Sequence, residues 1–386
     1  MKCIMKPLWI GWLCFGLSAC WAVLPAPEAS TPIVTPPLTA QVVTVENITN
    51  LAEVLRLASD NAGPIANLMF TPDVQTLLAV YAREGKLRHW KLADGTMTKT
   101  LEVHPVGLGG VAFDASGTML ATSAGAEWEE HVRDDVYLGW QVWNAQNGEV
   151  IKQGGKYYDS FLTRSLIPDI LLKRDGSWAL MILTSPAEDQ INLKSFFIDG
   201  VMIDQTGDEY YDFSRKPEQD DFDVIAFDAQ SEFFAAADEA GKVAIYSFRP
   251  PDYPRLPEAV IEKPGKELGP RPLALAFDPR RRWLASIRGT ELVVWDLQSF
   301  GYKRQIAAAV GEMAGITASL AFDPSGNLLG VGTANGWQIW DVNNNKLLIE
   351  GKNNVEVYAV TFSSDGRLFA WGDSSGVVHV WGVPDQ

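Results

Sequence analysis

The amino-acid sequence predicts an all-β protein whose body is seven copies of one four-stranded unit set about a central channel. Three observations predict it. An apolar triplet followed by a polar turn recurs seven times after residue 63. Each recurrence leads, through a second apolar run and a second turn, to a third run ending in an aromatic residue. The runs are short, β-branched and aromatic, and Gly, Asp or Asn closes them, which is the chemistry of strands and tight turns.

Composition sets the outer limits. Of 386 residues 47% are hydrophobic and 21% charged, enough apolar material for a packed core and too much for wholesale disorder. The 48 acidic and 32 basic residues give a formal charge of −16, the wrong sign for the basic face that a duplex requires, so no nucleic-acid partner is expected. Only four histidines are present, His89, His104, His131 and His379, too few and too scattered for a multi-histidine metal site. Neither metal nor cofactor is expected.

At the N-terminus, Lys2 and Lys6 precede the uncharged run Leu8 to Leu24. A positive n-region followed by an apolar h-region is the layout of a secretory signal, and a run of seventeen residues also reaches the lower limit for an uncleaved spanning helix. All three cysteines, Cys3, Cys14 and Cys20, fall in this segment, so the body has no disulfide framework. Leu17-Ser18-Ala19-Cys20 resembles the bacterial lipobox. That resemblance implies a lipoprotein signal peptide over residues 1–19, with Cys20 acylated as the first mature residue. A buried, inert cysteine inside an ordinary signal or anchor is the competing reading. Residues 20–40 then form a tether, because Pro25 to Ala40 holds five prolines in sixteen residues. Proline fixes φ, and a polyproline II segment of that length reaches roughly 50 Å at about 3.1 Å per residue.

The body is assigned to residues 41–386, with copies starting near 63, 106, 165, 222, 272, 315 and 356. Before the first copy, Ile48 to Ser59 is an orphan apolar segment. It reads as a strand that completes the last unit, or as an amphipathic helix with Leu51, Val54, Leu55 and Ala58 on one face. The seven triplets end at Phe70, Phe113, Leu172, Phe227, Phe277, Phe322 and Phe362, and the matching aromatics are Trp90, Trp143, Phe197, Tyr246, Trp295, Trp340 and Trp381. Five copies span 18 to 20 residues between these marks, whereas the second and third span 30 and 25 and carry insertions. Successive triplets lie 40 to 59 residues apart.

The shortest of these steps matches the period of WD40 repeats, and Trp295-Asp296 and Trp340-Asp341 are true Trp-Asp dipeptides. Residues 63 to 382 are therefore similar to a WD40-repeat protein, which implies a seven-bladed WD40-like β-propeller whose N-terminal strand closes the last blade. The departures are informative. No copy has the family's Gly-His dipeptide, so the hydrogen-bonded tetrad that stiffens well-formed blades is expected to be mostly missing, and the third copy is the most degenerate.

Catalytic signatures are lacking. There is no Gly-x-Ser-x-Gly nucleophile turn, and Gly107-Leu108-Gly109-Gly110 lacks the lysine of a phosphate-binding loop. Asp199, Asp204, Asp208, Glu209 and Asp212 lack the spacing of a calcium loop and read as a solvated acidic loop. His379, flanked by Val378 and Val380, reads as a face residue of a strand. No enzyme activity is expected.

Partner binding is the remaining possibility. In the family pattern the connections after the second and fourth strands share one rim. Ala124 to Gly139, Gly154 to Pro168, Ser185 to Asn192 and Gln205 to Phe222 would be expanded loops there. They bring Trp128, Tyr137, Tyr157, Tyr158, Tyr210 and Tyr211 together with two acidic runs, one over Glu127, Glu129, Glu130, Asp134 and Asp135 and one over Asp208, Glu209, Asp212, Glu218, Asp220 and Asp221. Aromatic anchors in a charged rim suit a docking surface for a basic protein partner. The alternative is that these aromatics pack beneath their own loops and the acids are merely solvated. Phe248 to Pro272 reads as a stiff, proline-rich surface loop. The expected function is a non-catalytic, membrane-tethered interaction platform outside the cytoplasm, lipid-anchored to a bacterial envelope membrane. Alternatives are an envelope-assembly scaffold, resembling other propeller lipoproteins, and an enzyme or small-ligand binder using the channel.

Overall fold

The computed structural model describes residues 40–385 except 59–62, 82–83, 103–107, 115–117, 125–134, 146, 160–166, 173–178, 185–196, 202–209, 214–221, 229–231, 239–242, 248–258, 262–271, 289–290, 299–300, 308–318 and 353. The chain divides into two units at residue 31, and everything below concerns the second. The signal, Cys20 and the proline-rich tether lie outside the described residues.

Among the described residues the body is all-β, apart from one turn of 3-10 helix at Ile48–Asn50. The described strands form small antiparallel sheets, six of four strands and one of five. The first sheet runs from Ile65–Phe70 to Met97–Glu102, the second from Leu108–Phe113 to Val150–Asp159, and the third from Ile167–Leu172 to Tyr210–Phe213. The fourth runs from Phe222–Phe227 to Ala259–Ile261, the fifth from Pro272–Phe277 to Gly301–Ala307, and the sixth from Leu320–Phe322 to Lys346–Lys352. In all six the strands pair in chain order, each with its predecessor.

The seventh sheet joins the two ends of the body. Val357–Phe362, Leu368–Asp373 and Val378–Pro384 pair in order, and Ala52–Leu57 and Ala40–Gln41 both pair antiparallel with Val378–Pro384. The orphan segment before the first copy thus supplies a strand, and its helical content is confined to Ile48–Asn50.

One turn recurs between first and second strands. An aspartate follows the first strand and accepts from amides at the start of the second. Asp323 Oδ1 takes Asn327 N at 2.9 Å and Leu328 N at 2.7 Å, and Asp228 Oδ1 takes Phe233 N at 2.7 Å. Gly326 turns the chain at φ +67°, a conformation that side chains rarely adopt. These turns also touch one another: Arg281 pairs with Asp228 of the preceding sheet at 2.7 Å. Arg282 donates to the Ser325 carbonyl of the following one, also at 2.7 Å.

The core lies between sheets. Leu68, Leu77, Ala79 and Trp90 of the first pack with Ala359, Leu368 and Ala370 of the seventh. Leu292 and Val294 of the fifth pack with Leu329, Val331 and Trp340 of the sixth. Further clusters join first to second and fourth to fifth. First strands adjoin between the second and third sheets and from the fourth through the seventh, the second strands of the first and third sheets meet the first strand of the next, and Val357–Phe362 of the seventh lies against Ile65–Phe70 of the first.

Several expectations need correction. Phe197 does not end the third strand of its unit but opens it, at Phe197–Val201. In the neighbouring sheets the closing aromatic pairs with the second residue of strand two, as Trp90 does with Leu77 and Trp295 with Leu284. The equivalent partner of Leu180 is Gly200. Phe248 to Pro272 is not a plain loop, because Ala259–Ile261 is the fourth strand of its sheet. Gly109 and Gly110 lie inside a strand at a register irregularity, where glycine is common. Two indoles are anchored within their own sheets. Trp143 Nε1 donates to Thr122 Oγ1 at 2.8 Å and Trp295 Nε1 to Ser286 Oγ at 3.0 Å, both buried.

Candidate interaction surface and the junction of the chain ends

The insertion of the second unit lengthens strands. Asp135–Asn144 and Val150–Asp159 are ten residues each, and among the described residues no other strand exceeds seven. They form one hairpin around Gly148 at φ +75°. Trp140, 5% exposed, lies across Gly154, where an added Cβ would stand 2.6 Å from its ring. Along this hairpin Tyr137 is the register partner of Tyr157, and Val136 of Tyr158. All three tyrosines therefore sit in paired strand, at the end of the sheet from which its second and fourth strands connect onward.

Val150–Asp159 pairs on one edge only, with Asp135–Asn144. At its other end Val150 and Ile151 are 38% and 52% exposed. The register shifts between Val150 and Lys152, so Ile151 is the extra residue of a bulge, a device that blunts an open edge.

Tyr210 and Tyr211 are placed differently from the expectation. They open the strand Tyr210–Phe213, pairing with Val201 and Gly200, at the end of their sheet that carries the connection from third to fourth strand. Strand Tyr210–Phe213 divides the segment read as one loop from Gln205 to Phe222, and these two tyrosines occupy the opposite kind of rim from Tyr137, Tyr157 and Tyr158. Asp199 and Asp212, read as members of a solvated loop, are register partners in adjacent strands. Asp135 opens a strand. Trp128, Glu127, Glu129, Glu130, Asp134, Asp208, Glu209, Glu218, Asp220 and Asp221 lie outside the described residues.

A second built feature is the junction of the chain ends. Pairing of Ala52–Leu57 with Val378–Pro384 sets Glu53 beside Trp381 and Arg56 opposite His379. The His379 side chain, 9% exposed, turns inward between two carboxylates: Nδ1 lies 2.6 Å from Glu53 Oε1, and Nε2 lies 3.6 Å from Asp373 Oδ2. Its ring stacks on Trp371 at 3.7 Å between centroids. Burial pushes the Asp373 carboxyl up. The His379 ring, the Ser375 hydroxyl and the Val377 amide outweigh burial and hold it below the ordinary carboxylate range. Nearby, Val43 N donates to the Gly366 carbonyl at 2.8 Å and Arg367 Nη1 to the Ala40 carbonyl at 3.3 Å. Ile48 and Leu51 are buried among Trp337, Ile339 and Phe369.

The other buried histidine contrasts with it. Burial, with Lys99 nearby, lowers His89 to about 4, so it stays neutral inside the first sheet. Among the described residues no group of three His, Cys, Asp or Glu could hold a metal ion, and no helix is long and apolar enough to cross a membrane.

Compared with known proteins, the chain matches no family model and no curated protein sequence.

Reading the sequence alone missed the clasp of Glu53, His379 and Asp373, since its members lie up to 326 residues apart. It also missed the role of the aspartates Asp114, Asp228, Asp278 and Asp323 after four of the first strands, although the recurring Phe-Asp pair carried that signal.

Proposed function

We propose that this protein is a non-catalytic platform tethered by lipid at Cys20 to a bacterial envelope membrane, outside the cytoplasm, whose seven sheets close into a WD40-like ring. The adjoining first strands, the packing of the seventh sheet on the first, and the N-terminal strand in the seventh sheet support the ring. The observation that carries the docking role is the overlong hairpin of the second sheet, with Tyr137, Tyr157 and Tyr158 at its far end. It extends beyond what a sheet of this body needs, and acidic residues precede it in the chain. Tyrosine buries much area at little rotamer cost, and clustered negative charge draws a basic protein. Tyr210 and Tyr211 do not belong to this surface.

Two measurements test the reading. Intact mass of the wild-type protein is expected to start at Cys20 with added acyl mass, and the protein to partition into membranes. Cys20→Ala is expected to lose both properties, and wild-type protein that begins at Met1 unmodified overturns the anchor. For docking, a photo-crosslinking residue at position 157 should give a discrete protein adduct in native membranes that weakens with salt. The same probe at position 211 should give none, and equal labelling at both positions sinks the assignment.

A further inference from the structure

The charged groups that join the two ends of the body form a switch as well as a joint. We propose that His379 is the pin of a proton-sensitive clasp that sets how firmly the N-terminal strand Ala52–Leu57 is held on Val378–Pro384.

The chemistry follows from the two ring nitrogens. Carrying both protons, the imidazolium donates from Nδ1 to Glu53 and turns its other N–H toward Asp373, with a carboxylate on each side. Carrying one, it can donate to a single carboxylate and must present a lone pair to the other. Since the ring is 9% exposed and stacked on Trp371, it cannot turn to water to escape that conflict. The imidazolium also attracts a carboxylate on each side, which the neutral ring does not, so the strand is held more tightly when His379 is charged.

The groups around the pin are few. The N-terminal strand brings Glu53 and Arg56, the latter the register partner of His379. The second strand of the sheet and its turn bring Asp373, with Ser375 and the Val377 amide bound to its Oδ1 at 2.7 and 2.9 Å. Ile65–Phe70 of the first sheet, which packs on this sheet through Ile65 and Gly372, carries no charged residue. The depressed Asp373 contributes stability above the ordinary carboxylate range and loses it only as pH falls through its own lower value, so it stays charged throughout the range where imidazole titrates.

Of the two carboxylates, Glu53 belongs to the strand that would move and Asp373 does not. Loss of the charge on the pin therefore loosens Ala52–Leu57 and leaves Val357–Phe362, Leu368–Asp373 and Val378–Pro384 paired. This holds whether or not Cys20 carries lipid.

Hydrogen exchange of the full chain, as protection factors corrected for intrinsic rate, tests the clasp at about pH 6 and about pH 8. Amides of Ala52–Leu57 are expected to be about fivefold better protected at the lower pH, while those of Leu328–Thr333 in the sixth sheet keep the same protection. His379→Gln should reduce the difference to less than about twofold, and Glu53→Gln, at a partly exposed position, should do the same without removing the ring. Equal protection of wild-type Ala52–Leu57 at both pH values overturns the proposal. So does a difference that persists in either variant.

Discussion

Gly372→Ala is expected to destabilise the protein by about 3 kcal/mol, the upper range for forcing one extra carbon into a packed core. In a strand this change usually helps, because glycine loses the most conformational freedom on folding. Here the sign reverses. A Cβ on Gly372 would lie 2.5 Å from both Cβ and Cγ2 of Ile65, on the first strand of the first sheet. The clash falls where the first and seventh sheets meet, with Tyr81 fully buried in the same cluster and its hydroxyl donating to the Gly376 carbonyl at 3.4 Å. Trimming the neighbour should not rescue the variant. Ile65→Ala removes Cγ2 but keeps the Cβ at the same short distance, and adds its own cavity cost of about 2 kcal/mol or more. Denaturant midpoints of the two single variants and the double variant measure this. A cost below about 0.5 kcal/mol for Gly372→Ala, a typical surface value, would mean that the two sheets do not meet as described.

Trp295→Ala is expected to cost about 4 kcal/mol, near the middle of the range for removing a large buried aromatic. Trp295 is completely buried, among Ala235, Val243 and Ile245 of the fourth sheet and Leu275 and Leu284 of its own. Its indole donates to Ser286, itself 1% exposed. The two contributions separate by substitution. Trp295→Phe keeps most of the apolar burial but takes the indole donor from the Ser286 hydroxyl, for about 1 to 2 kcal/mol, and Ser286→Ala in the same chain should recover part of that. Far-UV circular dichroism in denaturant suits the comparison, because the substitution itself changes tryptophan fluorescence. Equal losses for Phe and Ala would show that ring volume is not what this position supplies.

Much of the body was legible because its strands are short runs between aspartate and glycine turns. Phe322-Asp323-Pro324-Ser325-Gly326 marks a strand end, an amide-accepting carboxylate and a positive-φ glycine in five residues. Legibility failed where side-chain type and strand position parted. In the third unit Phe197 stands three residues before Gly200, the position that pairs with Leu180. The tyrosines of the second unit looked like loop residues because Gly154 and Gly155 interrupt the alternation. The first of these glycines is there to admit Trp140 from the paired strand, a reason no one-dimensional pattern contains. Around Ile48 to Ser59 helix and strand periods overlap, and only the partner strand 326 residues away decides between them. The clasp was invisible for the same reason.

That long-range pairing also governs timing. Because Ala52–Leu57 joins a sheet whose other members are Ala40–Gln41, Val357–Phe362, Leu368–Asp373 and Val378–Pro384, a chain made N-terminus first holds that strand unpartnered until residues 378–384 follow. The interior sheets, made of consecutive strands, can form as they emerge; the junction must wait for the last residues. Contacts between distant residues are slow to find, and an unpaired strand edge invites wrong partners in the interval. The bulge between Glu53 and Leu55 and the exposed Arg56 make the waiting strand a poor template for another chain. The meeting of the two ends of the body is therefore expected to be a late and slow step of its folding.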